Sequence, residues 1–196
     1  MLENSDFTIM GIDLAGKSEN PTGICFLCKN EFIFSTVFTN DEILSQVFKK
    51  NPSLIVIDAP LSLPKGRCCL SDKCSCSQIG GHFRAAEIEM RKYGRTLPLT
   101  FRGMRMLTER GMDLKEKLKN DYEILESHPH TIQKILGLKN LEIVKKYYNI
   151  PSNINEHEWD AALLVLNGIF YNKGQFMEFG DPEEGLITLP QINEAY

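Results

Sequence analysis

The chain has 196 residues, a formal charge of −4, 42% hydrophobic residues and 24% charged residues. That length suits one domain whose core is large enough to stand without staples, and the composition is that of a globular protein, not a disordered or fibrous one. The acidic balance argues against a protein that coats nucleic acid non-specifically, and no apolar run approaches the ~18 residues of a membrane span.

In chain order, MLENSDFTIMGID is acidic and runs straight into a strand over 7–14, so it does not read as a signal peptide, and the expected location is the cytoplasm. Segments 22–28 and 31–38 read as two further strands, joined as a hairpin by a tight Lys29-Asn30 turn. A helix capped by Asn40 or Asp41 should run to about Lys50. SLIVID over 53–58 is a continuous apolar run, the pattern of a strand buried on both faces of a parallel sheet. A polar, Cys-rich stretch over 65–81 is followed by expected helices over 82–93 and 103–118, and 122–126 reads as the last core strand. Short helical stretches occupy 131–136 and 141–148, a long helix covers 156–172, and GDPEEGLITLP reads as a turn and a short strand. Strands that meander and then alternate with helices imply a mixed sheet covered on both faces.

Charge is unevenly spread. Between Arg84 and Lys119 ten Lys or Arg stand against five acids, so that segment carries +5 and the remainder −9. A basic patch beside an acidic site suits nucleic acid, although a solvated helical face reads the same way.

Three carboxylates stand out. Asp13 ends FTIMGID and Asp58 ends SLIVID, and a charge at the end of a buried strand is costly unless paired or metal-bound. Either could instead cap a turn. In the last long helix, Asn155 and Glu158 form a capping box, and Glu156 suits the helix dipole. Neither role covers Asp160, which with His157 extends the apolar stripe Ala161, Leu164, Val165, Gly168, Ile169 and should point at the sheet. Glu126, ending the last core strand, could join them. Oxygen-rich clusters of this kind suit Mg²⁺ or Mn²⁺, and a pair of such ions is the usual machinery for phosphodiester hydrolysis.

An acid on the first strand, another after the fourth and an Asp on the last helix resemble the ribonuclease H-like superfamily. The His157/Asp160 pair is similar to the helix motif of RuvC-type nucleases. More closely, GIDLAG, VIDAPLSLP, FRAAEIEMRKYG, ESHPHT, HEWDAALLV and GDPEEGLITLP, in that order, resemble the family called domain of unknown function 429, described as nucleases of this fold. The resemblance implies one α/β domain over 1–196, built on a five-stranded mixed sheet with helices on both faces and an insertion at about 60–81. It also implies metal ligation by Asp13, Asp58 and Asp160, with Glu126 a fourth acid and His157 a ligand or proton-transfer group. The Cys-rich insertion is not part of the superfamily pattern.

Six cysteines without a secretory signal should stay reduced. Cys25 and Cys28 lie three apart in a strand and so face opposite ways, as core residues. Cys68, Cys69, Cys74 and Cys76 could hold a structural Zn²⁺ or be incidental thiols in a flexible loop. If metal orders that loop, Arg67, Arg84 and Arg91 could position a phosphate backbone; Arg84, Glu87 and Arg91 could equally form a surface ion-pair row.

The leading function is a metal-dependent nuclease cutting RNA or DNA, with nucleic acid as partner and no membrane; nothing in the sequence speaks to oligomeric state. The alternative is a catalytically silent nucleic-acid-binding or scaffold module. GIDLAG is also similar to the phosphate loop of actin-like kinases, but those need two domains of this fold.

Overall fold

The computed structural model describes residues 7–137, 145, 146 and 148–192. Three strands open the fold as an antiparallel meander: β1 (Ile9–Asp13), β2 (Thr22–Cys28) and β3 (Glu31–Val37). Lys29 and Asn30 both take the left-handed conformation (φ 50° and 65°), the two-residue turn whose twist matches the flanking strands. Cys25 and Cys28 pack into the cores on opposite faces of the sheet, as their spacing requires. Helix α1 (Asn40–Lys50) is capped one residue earlier than expected, by Thr39. Its hydroxyl accepts from the Glu42 N–H, while the Glu42 carboxylate accepts from the N–H groups of Phe38 and Thr39. This reciprocal box outcompetes Asn40 or Asp41, neither of which has a Glu or Gln three residues on.

β4 (Leu54–Ile57) runs parallel to β1, and β5 (Glu123–Glu126) runs parallel to β4. Two more strands, β6 (Phe176–Phe179) and β7 (Ile187–Pro190), bring the sheet to seven in the order β3-β2-β1-β4-β5-β7-β6. The first five form the mixed sheet that the ribonuclease H-like resemblance leads one to expect. The five-stranded expectation stops short because β7 joins β5 through a single paired position, Glu126 opposite Ile187, and β6 then pairs antiparallel to β7. Strands this short, at an edge, leave little periodic signal.

The remaining helices are α2 (Ala85–Glu89), α3 (Arg102–Leu118), α4 (Pro129–Leu136) and α5 (Glu156–Asn172). The single helix expected over 82–93 is shorter: α2 passes into one 3₁₀ turn at Met90–Lys92. The stretch expected as a helix over 141–148 lies, apart from residues 145, 146 and 148, outside the described residues. On one face α5 and α4 cover Ile9, Cys25, Leu54 and Val56; on the other, α1 and α3 cover Met10, Ile12, Ile55 and Ile57. The apolar stripe of α5 proves wider than the periodicity implied, because every residue from Ala161 to Ile169 is buried. Among the described residues no helix is long and apolar enough to cross a membrane.

Candidate functional site

The carboxylates lie where the parallel strands end. Ile12 of β1 is opposite Ile57 of β4, and the Asp58 N–H donates to the Ile12 carbonyl at 3.0 Å, so Asp13 and Asp58 leave the sheet side by side. Glu126 is opposite Ile57 in β5, and the next residue, Ser127, donates its N–H to the Ile57 carbonyl at 3.0 Å. The carboxyl ends of adjacent strands in an open α/β sheet are where sites form.

Helix α5 reaches this edge because two glycines let it lie on the strands. A Cβ on Gly11 would stand 2.1 Å from the Ala161 carbonyl oxygen, and one on Gly23 2.1 Å from that of His157. Either contact is far inside van der Waals distance, so any side chain there would lift the first turns of α5. The box of Asn155 and Glu158 starts the helix, and Thr36 of β3 fastens it by donating to Glu158 and accepting from Asn155. His157 and Asp160 are thereby held over the end of β1, and His157 Nδ1 meets Asp13 Oδ2 at 2.8 Å.

The acids feel one another. Burial pushes the Asp58 carboxyl well above the usual carboxylate range, and Asp13, Asp160 and Glu126 push it further. Asp160 is raised to about 6, first by burial and then by Asp13, with His157 acting against the shift. Asp13 is also raised by burial, against the bond from His157. Among the described residues no Lys or Arg lies within 4.0 Å of Asp13, Asp58 or Asp160. This local excess of negative charge, offered by oxygen donors alone, suits a hard divalent cation. In buffer free of such cations the sign of the pH response follows. A raised folded pKa means that the native state holds more protons than the unfolded chain, from the unfolded value of ~3.9 up to the raised one. Stability should therefore fall as pH climbs through about 6, the value for Asp160. Urea midpoints between pH 4.5 and 7.5 would read this, and the slope should flatten in Asp160→Asn.

Glu126 is differently placed. Its carboxylate accepts from both terminal nitrogens of Arg84, at 2.8 Å for Nη1, and from the Leu61 N–H at 2.8 Å. Arg84, expected as a phosphate contact, is completely buried. Its remaining donors go to Glu87 (2.5 Å for Nη2) and to the Ser62 hydroxyl at 2.7 Å. The helix face expected to carry Arg84 outward turns inward, because α2 is anchored at its start by Glu184, which accepts from the Ala85 N–H at 2.7 Å. Arg67 is likewise corrected: its side chain is 1% exposed and donates to the carbonyls of Gly80 and Gly81 at 3.1 and 2.9 Å, closing the Cys-rich loop. Arg91 is exposed and stands over the Phe83 ring at 4.6 Å. Sequence reasoning missed the Arg84 network. ESHPHT and GDPEEG both meet FRAAEIE here, the first through the buried Arg84–Glu126 pair and the second through the Glu184 carboxylate, which accepts from the Ala85 N–H.

The four cysteines of the loop converge, with all sulfurs within 4.8 Å of one another. Cys68 and Cys74 Sγ are 3.7 Å apart, and Cys69 and Cys76 Sγ 3.9 Å. Backbone amides of Cys68 and Cys69 hold Cys76 below the ordinary thiol range, at about 6.

No known protein family matches the chain, and no curated protein matches it. Among solved structures it is similar to T. thermophilus RuvC in complex with Holliday junction substrate, at 10% identity over 86% of this chain and 96% of that one, with a TM-score of 0.48.

Proposed function

We propose that the protein is a metal-dependent nuclease, a single ribonuclease H-like domain over 1–196 with an insertion at about 60–81. The observation that carries the reading is the set of Asp13 and Asp58 at adjacent strand ends and Asp160 on α5, whose carboxyls are all raised in pKa and have no cationic partner among the described residues beyond His157. A side-chain cluster of this kind raises the energy of the metal-free fold once its acids ionise, and a bound cation recovers that cost at pH values where protons no longer do. The six segments that carry the sequence resemblance to the domain of unknown function 429 family include all three acids, although no family model matches the chain.

Asp13, Asp58 and Asp160 would hold Mg²⁺ or Mn²⁺, which when bound supplies charge neutralisation of the phosphate and an activated water. His157, fixed by Asp13, would complete the ligand set or carry a proton to or from the reacting oxygen. Glu126, assigned to the metal in the sequence reading, instead acts through Arg84 to hold the loop after β4. The exposed cations Arg91, Arg95 and Arg102 would meet the phosphate backbone. The silent binding module was expected to show carboxylates that fail to converge or that are neutralised by arginine. Neutralisation holds for Glu126 and not for the three aspartates, whereas among the described residues it is the four cysteines, and not the aspartates, whose ligand atoms all lie within 4.8 Å of one another.

The test is cleavage of single strands, duplexes, RNA–DNA hybrids and four-way junctions with Mn²⁺ by wild type, Asp13→Asn and Asp160→Asn. Metal-dependent cutting by wild type that both variants lose is the expected result; absence of cutting with binding intact would favour the silent module.

Within the same reading the loop thiols hold a structural Zn²⁺. Four sulfurs at ~2.3 Å from a tetrahedral zinc stand ~3.8 Å apart, and the two pairs above are 3.7 and 3.9 Å apart. Elemental analysis should find about one zinc per chain. Chelation should lower the thermal midpoint and open 65–81 to proteolysis. Metal loss without either change would leave the thiols incidental.

A further inference from the structure

Beside Asp58 the surface opens into a cleft of about 510 Å³, lined by that residue, by segment 90–97 and by the first turns of α3 and α4. Its volume is within the ~300–1,000 Å³ typical of small-molecule sites, and its walls are of mixed character. Leu97, Met104 and Leu107 supply apolar surface, and Leu97 is 41% exposed although nothing in the described fold covers it. Thr96 lines the same cleft, and its hydroxyl, buried behind the wall, has no hydrogen-bond partner. A buried hydroxyl without a partner costs on the order of a lost hydrogen bond, which a ligand could restore.

Two further side chains point to the ligand's chemistry. His128 caps α4 with Nδ1, which accepts from the Thr131 N–H at 3.3 Å, so its ring proton is on Nε2 and that edge is a donor. Arg95 is exposed at the cleft and has no carboxylate within 4.0 Å among the described residues. Glu87 and Glu126 also line the floor, but Arg84 takes up both.

From the apolar walls, the unpartnered hydroxyl, the His128 donor and the free Arg95 beside Asp58, we infer that this cleft takes one unpaired nucleotide of the substrate strand. Its base lies between Leu97, Met104 and Leu107, and its phosphate is held by Arg95 next to the aspartates. A base inside a duplex stack cannot enter such a pocket without being extruded. The substrate class is therefore nucleic acid with an unpaired nucleotide beside the bond that is cut: a single strand, a bulge or a branch point. This rests on the nuclease reading, deepening it from phosphodiester hydrolysis in general to one class of strand.

Binding separates the two claims. Full-length protein in Ca²⁺ would be titrated with three probes: a duplex carrying paired 2-aminopurine, the same duplex with 2-aminopurine as a one-nucleotide bulge, and free 2-aminopurine nucleoside monophosphate. The bulge should bind about tenfold more tightly than the paired duplex and change the probe's fluorescence. Arg95→Glu and Leu97→Asp, both at exposed positions, should shrink that preference to about twofold or less. Equal binding of paired and bulged duplex, or a preference untouched by both variants, would overturn the inference even if the protein cuts DNA. The free nucleotide binding as tightly as the bulge would also overturn it, assigning the cleft to a small molecule. A bulge preference lost in the variants, in a protein that cuts nothing, would support the pocket while sinking the nuclease reading.

Discussion

Asp58→Asn should move stability and catalysis in opposite directions. Cleavage is expected to fall by at least ~100-fold, about 3 kcal/mol of barrier, because a neutral amide is a poor ligand for a hard cation and leaves developing charge on the phosphate unbalanced. The thermal midpoint in metal-free buffer should rise by a few degrees, given that ~1 kcal/mol moves it by ~2–4 °C in a chain of this size. The cause is the same for both effects. Burial and the charges of Asp13, Asp160 and Glu126 all act against an ionised Asp58, and asparagine keeps the side chain's shape without the charge. Mn²⁺ should reverse the ranking, stabilising the wild type more than the variant, since only a protein that binds the ion in its folded state gains from it. Parallel melts with and without Mn²⁺ would show this. A variant that is less stable than wild type in both buffers would mean that Asp58 serves the fold through a hydrogen bond and not as a ligand.

Much of this arrangement was legible in the residues, and the reasons differ by element. β1, β4 and their terminal aspartates were readable because a continuous apolar run that ends in a charge is a local pattern. Asp160 was readable because helical periodicity places it on the buried stripe, and the contact of His157 with Asp13 bears out the direction of that stripe. What periodicity could not supply was the depth of packing at Gly11 and Gly23, which depends on β1 and β2 meeting a helix from the far end of the sequence backbone to backbone. The arginines misled for a related reason. Arg84 in FRAAEIE has acids three positions on, the mark of a surface pair, yet the acid that draws it inward, Glu126, lies 42 residues away. A buried charge is a property of its partners, and those partners become visible only once the chain is folded. The loop thiols show the same limit from the other side. C-C-x₄-C-x-C is not a familiar zinc spacing, but the 3₁₀ turn at Ser75–Gln78 and the closure by Arg67 bring the four sulfurs together.

Arg84→Met is expected to be the most destabilising single change in the chain, at ~3–5 kcal/mol, the usual cost of leaving a buried charge without its partner. Three elements depend on this side chain. Glu126 at the end of β5 and Glu87 in α2 both turn to it, and Ser62, bonded to its Nη1, donates in turn to the Glu184 carbonyl in the loop before β7. Without the guanidinium, Glu126 has the Leu61 N–H as its remaining protein donor, and burial already raises its pKa. The variant should then regain stability as the pH is lowered, because protonating Glu126 removes its uncompensated charge. The wild type gains less from acid at Glu126, where Arg84 already opposes the upward shift. Arg84→Met combined with Glu87→Gln and Glu126→Gln should recover a large part of the loss, since a neutral, apolar replacement of a whole buried ion cluster is often tolerated. Urea midpoints for the single and triple variants at pH 5 and 7.5 decide the matter. A single variant as stable as wild type at pH 7.5 would contradict the burial of Arg84. A triple variant that folds well but no longer cuts would place the cluster in the service of the aspartates, holding the loop after β4 on which Asp58 stands.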